Sequence, residues 1–279
     1  MANAESIGLI AGTGRLPLLT AKGIRRRGHR LVVVGLRDQA DPALRALADE
    51  FAWAGVARPG RWIRLLRRQG VSQAVLAGGV RKSGMYHPLR LVKFLPDWRA
   101  LRLWYVKLRH DHRDGSVLRA LADELAAEGI NLMSSVEFCP EHMASEGLMT
   151  RTPVPAGAAA DVEFGFRIAR ASADLDIGQS LAVKECDIIA VEAMEGTDRM
   201  IQRAGELCRS GGWTMVKVAR TAQDMRFDVP TVGPDTIRRL KECGAACLVL
   251  EAARTLILDK PATLALADKL GIAVLGKKA

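Results

Sequence analysis

Three carboxylates in the C-terminal half of the chain stand where side chains could act on a phosphate. In chain order they are Glu195, Asp198 and Asp228. The first two follow the apolar run 188–191 and the third follows the run 213–219, so each lies beyond a predicted strand. Lys217 and Arg226 are beside them in the sequence. Mg²⁺ prefers carboxylate oxygens, and cations neutralise phosphoryl oxygens in a transition state. The pattern predicts metal-assisted chemistry on a phosphate, with the three carboxylates as catalytic residues and Mg²⁺ ligands.

The same segment also fits an ordinary helix start. Thr197 or Asp198 suits an N-cap, because a side-chain oxygen there accepts hydrogen bonds from the first helical amides. Spacing alone leaves both interpretations open, and it leaves open which carboxylate binds metal and which orients water. The adjacent Arg226 disfavours a raised pKa at Asp228, so a metal ligand or water-orienting group is favoured there over a free general base.

A glycine turn near the N-terminus is a second candidate for phosphate binding. Gly12, Thr13 and Gly14 follow the buried, strand-like run 7–11 and precede a predicted helix. Backbone amides at such a turn can approach a phosphate closely. Pro17 occupies the third glycine position of the dinucleotide fingerprint, and no acidic residue ends the next strand, which disfavours NAD. We expect a nucleotide phosphate or base here, with a plain tight turn as the alternative.

Alternating apolar runs and helical patterns predict an α/β fold with two α/β domains, the N-terminal one a Rossmann-like parallel sheet. In this arrangement Gly79, after the strand 73–77, joins the glycine turn at the carboxyl edge of the sheet. The predicted boundaries are 1–140 for a nucleotide-side domain, 141–160 for a Pro-, Gly- and Met-rich linker and 161–279 for a catalytic domain. Predicted strands are 7–11, 31–36, 73–77, 181–184, 188–191, 213–219, 246–250, 256–259 and 272–275. Predicted helices are 16–27, 61–68, 116–128, 161–173, one from Pro234, and 261–270.

Composition narrows the class of protein. The chain has 279 residues, 49% of them hydrophobic, which is enough for one large core or two of ordinary size. Lys and Arg number 41 against 31 Asp and Glu, and the formal charge of +10 suits a phosphate-bearing substrate, an anionic lipid surface or nucleic acid. Five cysteines without a C-x-x-C pair are typical of reduced thiols in a cytosolic protein and disfavour zinc. We find no secretory signal and no apolar run of about 20 residues, and expect a soluble or peripheral protein.

The segment 86–113 interleaves aromatic and apolar residues with Arg and Lys. Such a segment can lie at a lipid headgroup layer, grip nucleic acid, or form a core helix with a solvated cationic face. The pattern leaves these three alternatives open. His110 and His112 on its polar tail are expected to be surface residues.

Four motifs carry a resemblance to a known family. They are Gly8-Leu9-Ile10-Ala11-Gly12-Thr13-Gly14, Leu175-Asp176-Ile177-Gly178-Gln179, Ala190-Val191-Glu192-Ala193-Met194-Glu195-Gly196-Thr197-Asp198 and Arg226-Phe227-Asp228-Val229-Pro230-Thr231-Val232-Gly233. In this order they resemble the LpxI-type UDP-2,3-diacylglucosamine pyrophosphatases of lipid A synthesis. The similarity is dense after Asp174 and thin from 83 to 160. The family's Gly-Asp-Asp run is Arg113-Asp114-Gly115 here, which leaves Asp114 as its single match.

The resemblance implies a Mg²⁺-dependent hydrolase whose two domains clasp a glycolipid. It would split UDP-2,3-diacylglucosamine into UMP and 2,3-diacylglucosamine 1-phosphate (lipid X), with water attacking the sugar-side phosphorus. The family's essential aspartate falls on Asp228, and Arg226 joins the substrate-binding set. Phosphate contacts fall on Gln179, Gly196, Thr197 and Lys217, and the nucleotide side meets Gly12, Thr13, Gly14 and Gly79.

The implied setting is the cytoplasm, on the inner face of the inner membrane of a Gram-negative bacterium. The expected partners are the glycolipid nucleotide and the membrane surface, without nucleic acid, and a homodimer is left open. The alternative function is a non-catalytic nucleotide-sugar or phospholipid-binding protein on the same fold. The aromatic stretch 86–105 is the candidate for part of an acyl-chain trough or for a membrane-facing lip.

Overall fold

The computed structural model describes residues 5–80, 95–107, 114–226 and 228–279, which form two compact units. The first unit comprises Met1–Cys139 and Asp224–Asp228, and the second comprises Pro140–Gln223 and Val229–Ala279. The two-domain α/β fold predicted from the sequence is confirmed.

The first unit is built on a five-stranded sheet in which every strand pair is parallel. Its strands are β1 (Ser6–Ala11), β2 (Arg30–Leu36), β3 (Glu50–Ala54), β4 (Gln73–Ala77) and β5 (Asn131–Met133). The strand order is β3-β2-β1-β4-β5. This is the order of the first five strands in the doubly wound dinucleotide-binding fold. The predicted Rossmann-like sheet is therefore confirmed.

Helices cover both faces of this sheet. They are α1 (Leu16–Arg26), α2 (Pro59–Arg68), α3 (Trp98–Arg102) and α4 (Asp114–Ala126), with a 3₁₀ turn at Pro42–Ala46 and a π-helical turn at Leu103–Lys107. Leu9 of β1 packs with α1 on one face, and Ile10 packs with α2 and α4 on the other. A strand buried on both faces needs a continuous apolar sequence, which is what residues 7–11 supply.

The second unit is built on a six-stranded mixed sheet. Its strands are β6 (Gly147–Leu148), β7 (Ser180–Lys184), β8 (Asp187–Val191), β9 (Trp213–Lys217), β11 (Ala245–Glu251) and β13 (Ala273–Lys277), while β10 (Thr231–Val232) and β12 (Leu256–Ile257) pair separately. Its helices are α5 (Ala158–Asp174), α6 (Thr197–Leu207), α7 (Pro234–Glu242) and α8 (Lys260–Leu270), and a 3₁₀ turn spans Pro140–His142. The order is β6-β13-β11-β9-β7-β8. Of the four inner strands, β13, β11 and β9 are parallel to one another, whereas β7 runs antiparallel to both its neighbours.

Sequence periodicity missed the weakly buried strands and one turn. β3 is a sheet edge whose first four residues are exposed or half-buried, and its short apolar run 51–54 cannot be distinguished from part of a helix by periodicity alone. The turn between β7 and β8 consists of Glu185 and Cys186, both with positive φ. Such a turn usually contains Gly, Asn or Asp, so the hairpin carried no turn signal.

Two segments join a unit in a way that the sequence did not indicate. Residues 141–160, the predicted linker, lie in the second unit and include β6, which pairs with β13. Residues 224–228 belong to the first unit although their sequence neighbours belong to the second. Ser134 Oγ donates to the carbonyl of Met225 at 2.9 Å, and the amide of Ser135 donates to the carbonyl of Arg226 at 3.2 Å.

Much of the aromatic and basic segment 86–113 lies outside the described residues, including His110 and His112; Phe227 also lies outside them. Among the described residues of this segment, Trp98 is 79% exposed and Tyr105 is 70% exposed. These two side chains are not core residues. No helix within the described ranges is long and apolar enough to cross a membrane.

Candidate active site

A buried lysine at the carboxyl end of β9 is the centre of a polar cluster in the second unit. Lys217 is 5% exposed, and its Nζ donates to Thr197 Oγ1 at 2.8 Å and to Ser180 Oγ at 3.2 Å. Thr197 Oγ1 donates in turn to Glu192 Oε1 at 2.9 Å, and Glu192 Oε2 lies 3.9 Å from Lys217 Nζ. The cluster thus joins four residues, two of which, Ser180 and Glu192, were not predicted as site residues.

Among the described residues, the charged groups of this cluster do not use all their hydrogen-bonding capacity. Burial lowers the pKa of the Lys217 ammonium, while the charges of Glu192 and Asp198 act to raise it. Glu192 Oε2 is buried and has no hydrogen-bond partner among the described residues. Two of the three ammonium donors of Lys217 go to hydroxyl groups, which leaves one for a ligand oxygen. A buried cation with a spare donor is suited to binding an anion.

Strand pairing within the sheet determines where these residues lie relative to one another. Ser180, the first residue of β7, pairs directly with Lys217, the last residue of β9. The amide of Glu192 donates to the carbonyl of Ser180 at 2.8 Å. A Cβ atom on Gly178 would lie 1.8 Å from the carbonyl oxygen of Glu192, so only glycine allows this close approach. Three separate strand ends are thereby held together.

The first turn of α6 contributes backbone donors to the same place. Its N-cap is Gly196, with φ +81 and no side-chain cap. The alternative in which Thr197 or Asp198 caps the helix is therefore wrong, because the Thr197 hydroxyl bonds Glu192 and Lys217 instead. Amides at an uncapped helix N-terminus are suited to an anionic ligand.

Gln179 lies next to this cluster in the same unit. Its Nε2 donates to Gln223 Oε1 at 2.7 Å, and its carbonyl accepts from the amide of Val218 at 2.9 Å. The structure therefore brings together Gln179, Gly196, Thr197 and Lys217, four of the residues predicted to bind substrate.

The two predicted carboxylates of the second unit are each paired with an arginine. Glu195 Oε1 is 2.5 Å from Arg203 Nη2, and Glu195 Oε2 accepts from the amide of Ala193 at 3.2 Å. A hydrogen bond from its own backbone, followed by the contact with Arg203, lowers the pKa of Glu195. Asp198 Oδ1 is 3.4 Å from Arg239 Nε, and its side chain is 67% exposed.

Asp228 belongs to the first unit, not to the unit that holds Glu195 and Asp198. The amide of Asp228 donates to the carbonyl of Asp224 at 3.1 Å. The guanidinium group of Arg226 donates two hydrogen bonds to the carboxylate of Asp224, from Nε to Oδ1 at 2.9 Å and from Nη2 to Oδ2 at 2.7 Å. This contact raises the pKa of Arg226 and lowers that of Asp224. Arg226 is thus a partner of Asp224, a contact that the sequence analysis did not consider.

The carboxylates do not form a ready-made metal cage. In the part of the chain that the structure describes, no three His, Cys, Asp or Glu side chains are grouped so as to hold a metal ion. Mg²⁺ commonly binds through one or two carboxylates, water and substrate phosphates, and does not need a cage made by protein alone.

The predicted glycine edge forms in the first unit as a contact between two turns. The amide of Thr13 donates to the carbonyl of Gly79 at 2.7 Å, and the amide of Gly79 donates back to Thr13 at 3.2 Å. A Cβ atom on Gly12 would lie 2.3 Å from the carbonyl oxygen of Gly79. Close packing therefore explains why position 12 is a glycine, whereas the space around Gly14 is open. The N-terminus of α1 has no side-chain cap. In the first turn of α1, Pro17 has no amide hydrogen and the amide of Leu18 donates to the carbonyl of Arg15 at 3.1 Å, so this turn offers few donors to a phosphate.

Comparison with known proteins identifies the family. Residues 6–142 match the LpxI N-terminal domain, and residues 145–275 match the LpxI C-terminal domain. The chain belongs to the LpxI family. The protein named UDP-2,3-diacylglucosamine pyrophosphatase LpxI in Caulobacter vibrioides is 33% identical over 284 residues, which cover 98% of this chain and 97% of that protein. The resemblance found from four motifs is confirmed.

Two solved structures resemble this LpxI-family chain only weakly. A UDP-glucose-4-epimerase from Stenotrophomonas maltophila is 13% identical, covers 45% of this chain and 34% of its own, and has a TM-score of 0.30. A nucleoside-diphosphate-sugar epimerase from Pseudomonas aeruginosa is 16% identical, covers 97% and 88%, and has a TM-score of 0.28. Both scores are too low to bear on fold or function.

The Asp224–Arg226 contact generates a pH-dependent prediction. Because Arg226 lowers the folded-state pKa of Asp224, this carboxylate stabilises the fold above its unfolded pKa of about 4 and loses that effect as pH falls through the folded value. We expect Asp224→Asn to lower the thermal unfolding midpoint at neutral pH, with the difference from wild type disappearing in acid. Asp187→Asn, at an exposed carboxylate with no ion pair among the described residues, is the control and should unfold like wild type throughout. A pH-independent deficit in Asp224→Asn would contradict this account.

Proposed function

We propose that this chain hydrolyses the pyrophosphate bond of UDP-2,3-diacylglucosamine, giving UMP and 2,3-diacylglucosamine 1-phosphate. Family membership over both domains and the activity named for the Caulobacter vibrioides relative support the substrate. The observation that carries the chemistry is the buried Lys217 bonded to Thr197 at the uncapped start of α6. A diphosphate needs its negative charge neutralised, and this cluster supplies positive charge at a fixed position.

Lys217 is proposed to bind an oxygen of the diphosphate with its third ammonium donor. Charge interactions are stronger in a buried site than in water, so one preorganised donor of this kind is worth about 10²–10³ in rate. The first-turn amides of α6 and the side chain of Gln179 are proposed to bind further phosphoryl oxygens. The Lys217–Glu192–Thr197 contacts hold the ammonium in place before the substrate arrives, so little rearrangement is needed.

Asp228 is proposed as the catalytic aspartate that orients the attacking water or binds the metal. Glu195 and Asp198 remain proposed ligands, and their pairing with Arg203 and Arg239 would have to be exchanged for a metal contact. Mg²⁺, when bound, would neutralise diphosphate oxygens. The role of Arg226 is proposed as support of the Asp228 segment through Asp224.

The glycine edge of the first unit is proposed to take the nucleotide side of the substrate, with the amides around Gly14 facing a phosphate. The protein is proposed to act in the cytoplasm of a Gram-negative bacterium, at the inner face of the inner membrane. The formal charge of +10 and the exposed Trp98 and Tyr105 support this placement.

The direct test is incubation of the purified protein with UDP-2,3-diacylglucosamine, with Mg²⁺ and with a chelator. We expect UMP and 2,3-diacylglucosamine 1-phosphate in the Mg²⁺ sample alone, both identified by mass spectrometry. In ¹⁸O-labelled water the label should enter the sugar phosphate, since attack is proposed on the sugar-side phosphorus. Substrate binding without turnover under any divalent ion would instead select the non-catalytic alternative.

The role of Asp228 is tested by Asp228→Asn. We expect the hydrolysis rate to fall by about 10²–10⁴, because the group that orients water or metal is removed while the side-chain volume is kept. Asp235→Asn removes an exposed carboxylate on α7 and should keep the wild-type rate. Circular dichroism and the unfolding midpoint check that Asp228→Asn is folded. Undiminished turnover in the folded Asp228→Asn protein would end this assignment.

A further inference from the structure

One face of the first unit combines exposed aromatic side chains with arginines that pair with no described carboxylate, and the proposed chemistry uses none of them. We call it the arginine–tryptophan surface. It consists of Arg61, Arg64 and Arg68 on α2 and of Leu95, Trp98 and Tyr105 in and beside α3. All six residues are exposed.

The positions on α2 follow from its amphipathic sequence. Trp62, Ile63 and Leu66 are buried against the sheet, so the helix faces the core with one side. Arg61, Arg64 and Arg68 recur at intervals of three and four residues, which places them together on the opposite side. The helix contains no acidic residue. Its outward side is therefore uniformly cationic.

The neighbouring acidic side chains are already engaged by other arginines. Glu124 binds Arg99 and Arg102, and Glu128 binds Arg67 and Arg99. Among the described residues, no carboxylate pairs with the three arginines of the outward side. Their charge is available to an external partner.

The carboxylate of Asp97 connects α2 and α3 through hydrogen bonds. Its Oδ1 accepts from the amide of Ala100 at 2.9 Å and caps α3, while its Oδ2 accepts from the amide of Gly60 at 2.8 Å in the first turn of α2. Arg58 Nε also donates to the carbonyl of Leu95 at 3.1 Å. The aromatic residues beside α3 are thus held at a fixed place relative to the arginines.

A depression of about 630 Å³ lies between these helices. Its lining includes Arg64, Arg68 and Trp98, together with Asp97 and the Arg99–Glu128 pair. Trp98 is 79% exposed, and large aromatic side chains with amphipathic rings are enriched at the headgroup level of membranes. Cations attract anionic headgroups, and each adds about a fivefold factor in affinity near an anionic surface.

We propose that the arginine–tryptophan surface docks the protein on an anionic phospholipid bilayer. Arg61, Arg64 and Arg68 bind lipid phosphates, and Trp98 and Tyr105 enter the headgroup layer. The inference deepens the proposed function and rests on it in one respect, since a doubly acylated substrate resides in a membrane. Arginines and exposed aromatic rings suit a bilayer or single-stranded nucleic acid, and the acyl chains of the proposed substrate favour the bilayer.

The test is co-sedimentation of the purified full chain with vesicles of phosphatidylcholine, with and without phosphatidylglycerol. We expect binding to the anionic vesicles that weakens with added salt. Arg64→Glu/Arg68→Glu should lower this affinity at least about tenfold. Trp98→Ala should also weaken binding, and should reduce the quenching of tryptophan fluorescence by brominated lipid.

Lys22→Glu/Arg45→Glu is the matched control. It makes the same change in net charge, but its positions belong to α1 and to the 3₁₀ turn Pro42–Ala46, whose buried residues pack on the opposite face of the sheet. The control should bind anionic vesicles within about twofold of wild type, since charges beyond about 10 Å are screened. Equal losses in both double variants would overturn the proposal. Failure of wild type to bind anionic vesicles, or stronger binding to duplex nucleic acid than to vesicles, would also overturn it.

Hydrolysis separates this inference from the proposed function. With substrate dispersed in detergent, Arg64→Glu/Arg68→Glu should hydrolyse at the wild-type rate, because these residues are not placed in the catalytic machinery. Equal unfolding midpoints show that the variant is folded. If wild type binds vesicles through this surface but hydrolyses nothing, the proposed function fails and the docking surface stands. If wild type hydrolyses the substrate but does not bind vesicles, the docking surface fails and the proposed function stands.

Discussion

The cost of burying Lys217 is the constraint on which the second unit depends. Removing an ammonium group from water costs on the order of several kcal/mol, and the fold offsets it with two hydroxyl acceptors and the Glu192 carboxylate. A hydrophobic residue at the end of β9 would avoid this desolvation free energy. A lysine with a lowered pKa and one spare donor is therefore consistent with a ligand-binding role and not with stability alone.

This cluster explains why several local features of the second unit have the form they do. β7 runs antiparallel beside β9 so that Ser180 faces Lys217, and Gly178 lets the chain pass against Glu192. Gly196 gives α6 a start without a side-chain cap, which frees the Thr197 hydroxyl for the lysine. Each feature is small, but together they place a cation and a helix N-terminus at one point.

The sequence predicted the parallel sheet of the first unit because β1 and β2 are continuous apolar runs that only a doubly covered sheet accommodates. The phosphate-binding roles of Lys217 and Thr197 came from the resemblance to the LpxI family and stay predictions, and the structure shows the two side chains hydrogen-bonded to each other. Glu192 was missed because a carboxylate directly after β8 looks like a solvated strand end until β7 and β9 are placed beside it. The attachment of 224–228 to the first unit depends on hydrogen bonds from Ser134 and Ser135, which no local pattern encodes.

Lys217 is proposed to act on the substrate, and the double variant Glu192→Gln/Lys217→Met tests this role most directly. Both charges are removed together, so no buried charge is left without its partner, and the unfolding midpoint should equal or exceed that of wild type. Hydrolysis of UDP-2,3-diacylglucosamine should nevertheless fall by about a hundredfold or more. A folded double variant that hydrolyses at the wild-type rate would show that the buried lysine serves the fold alone.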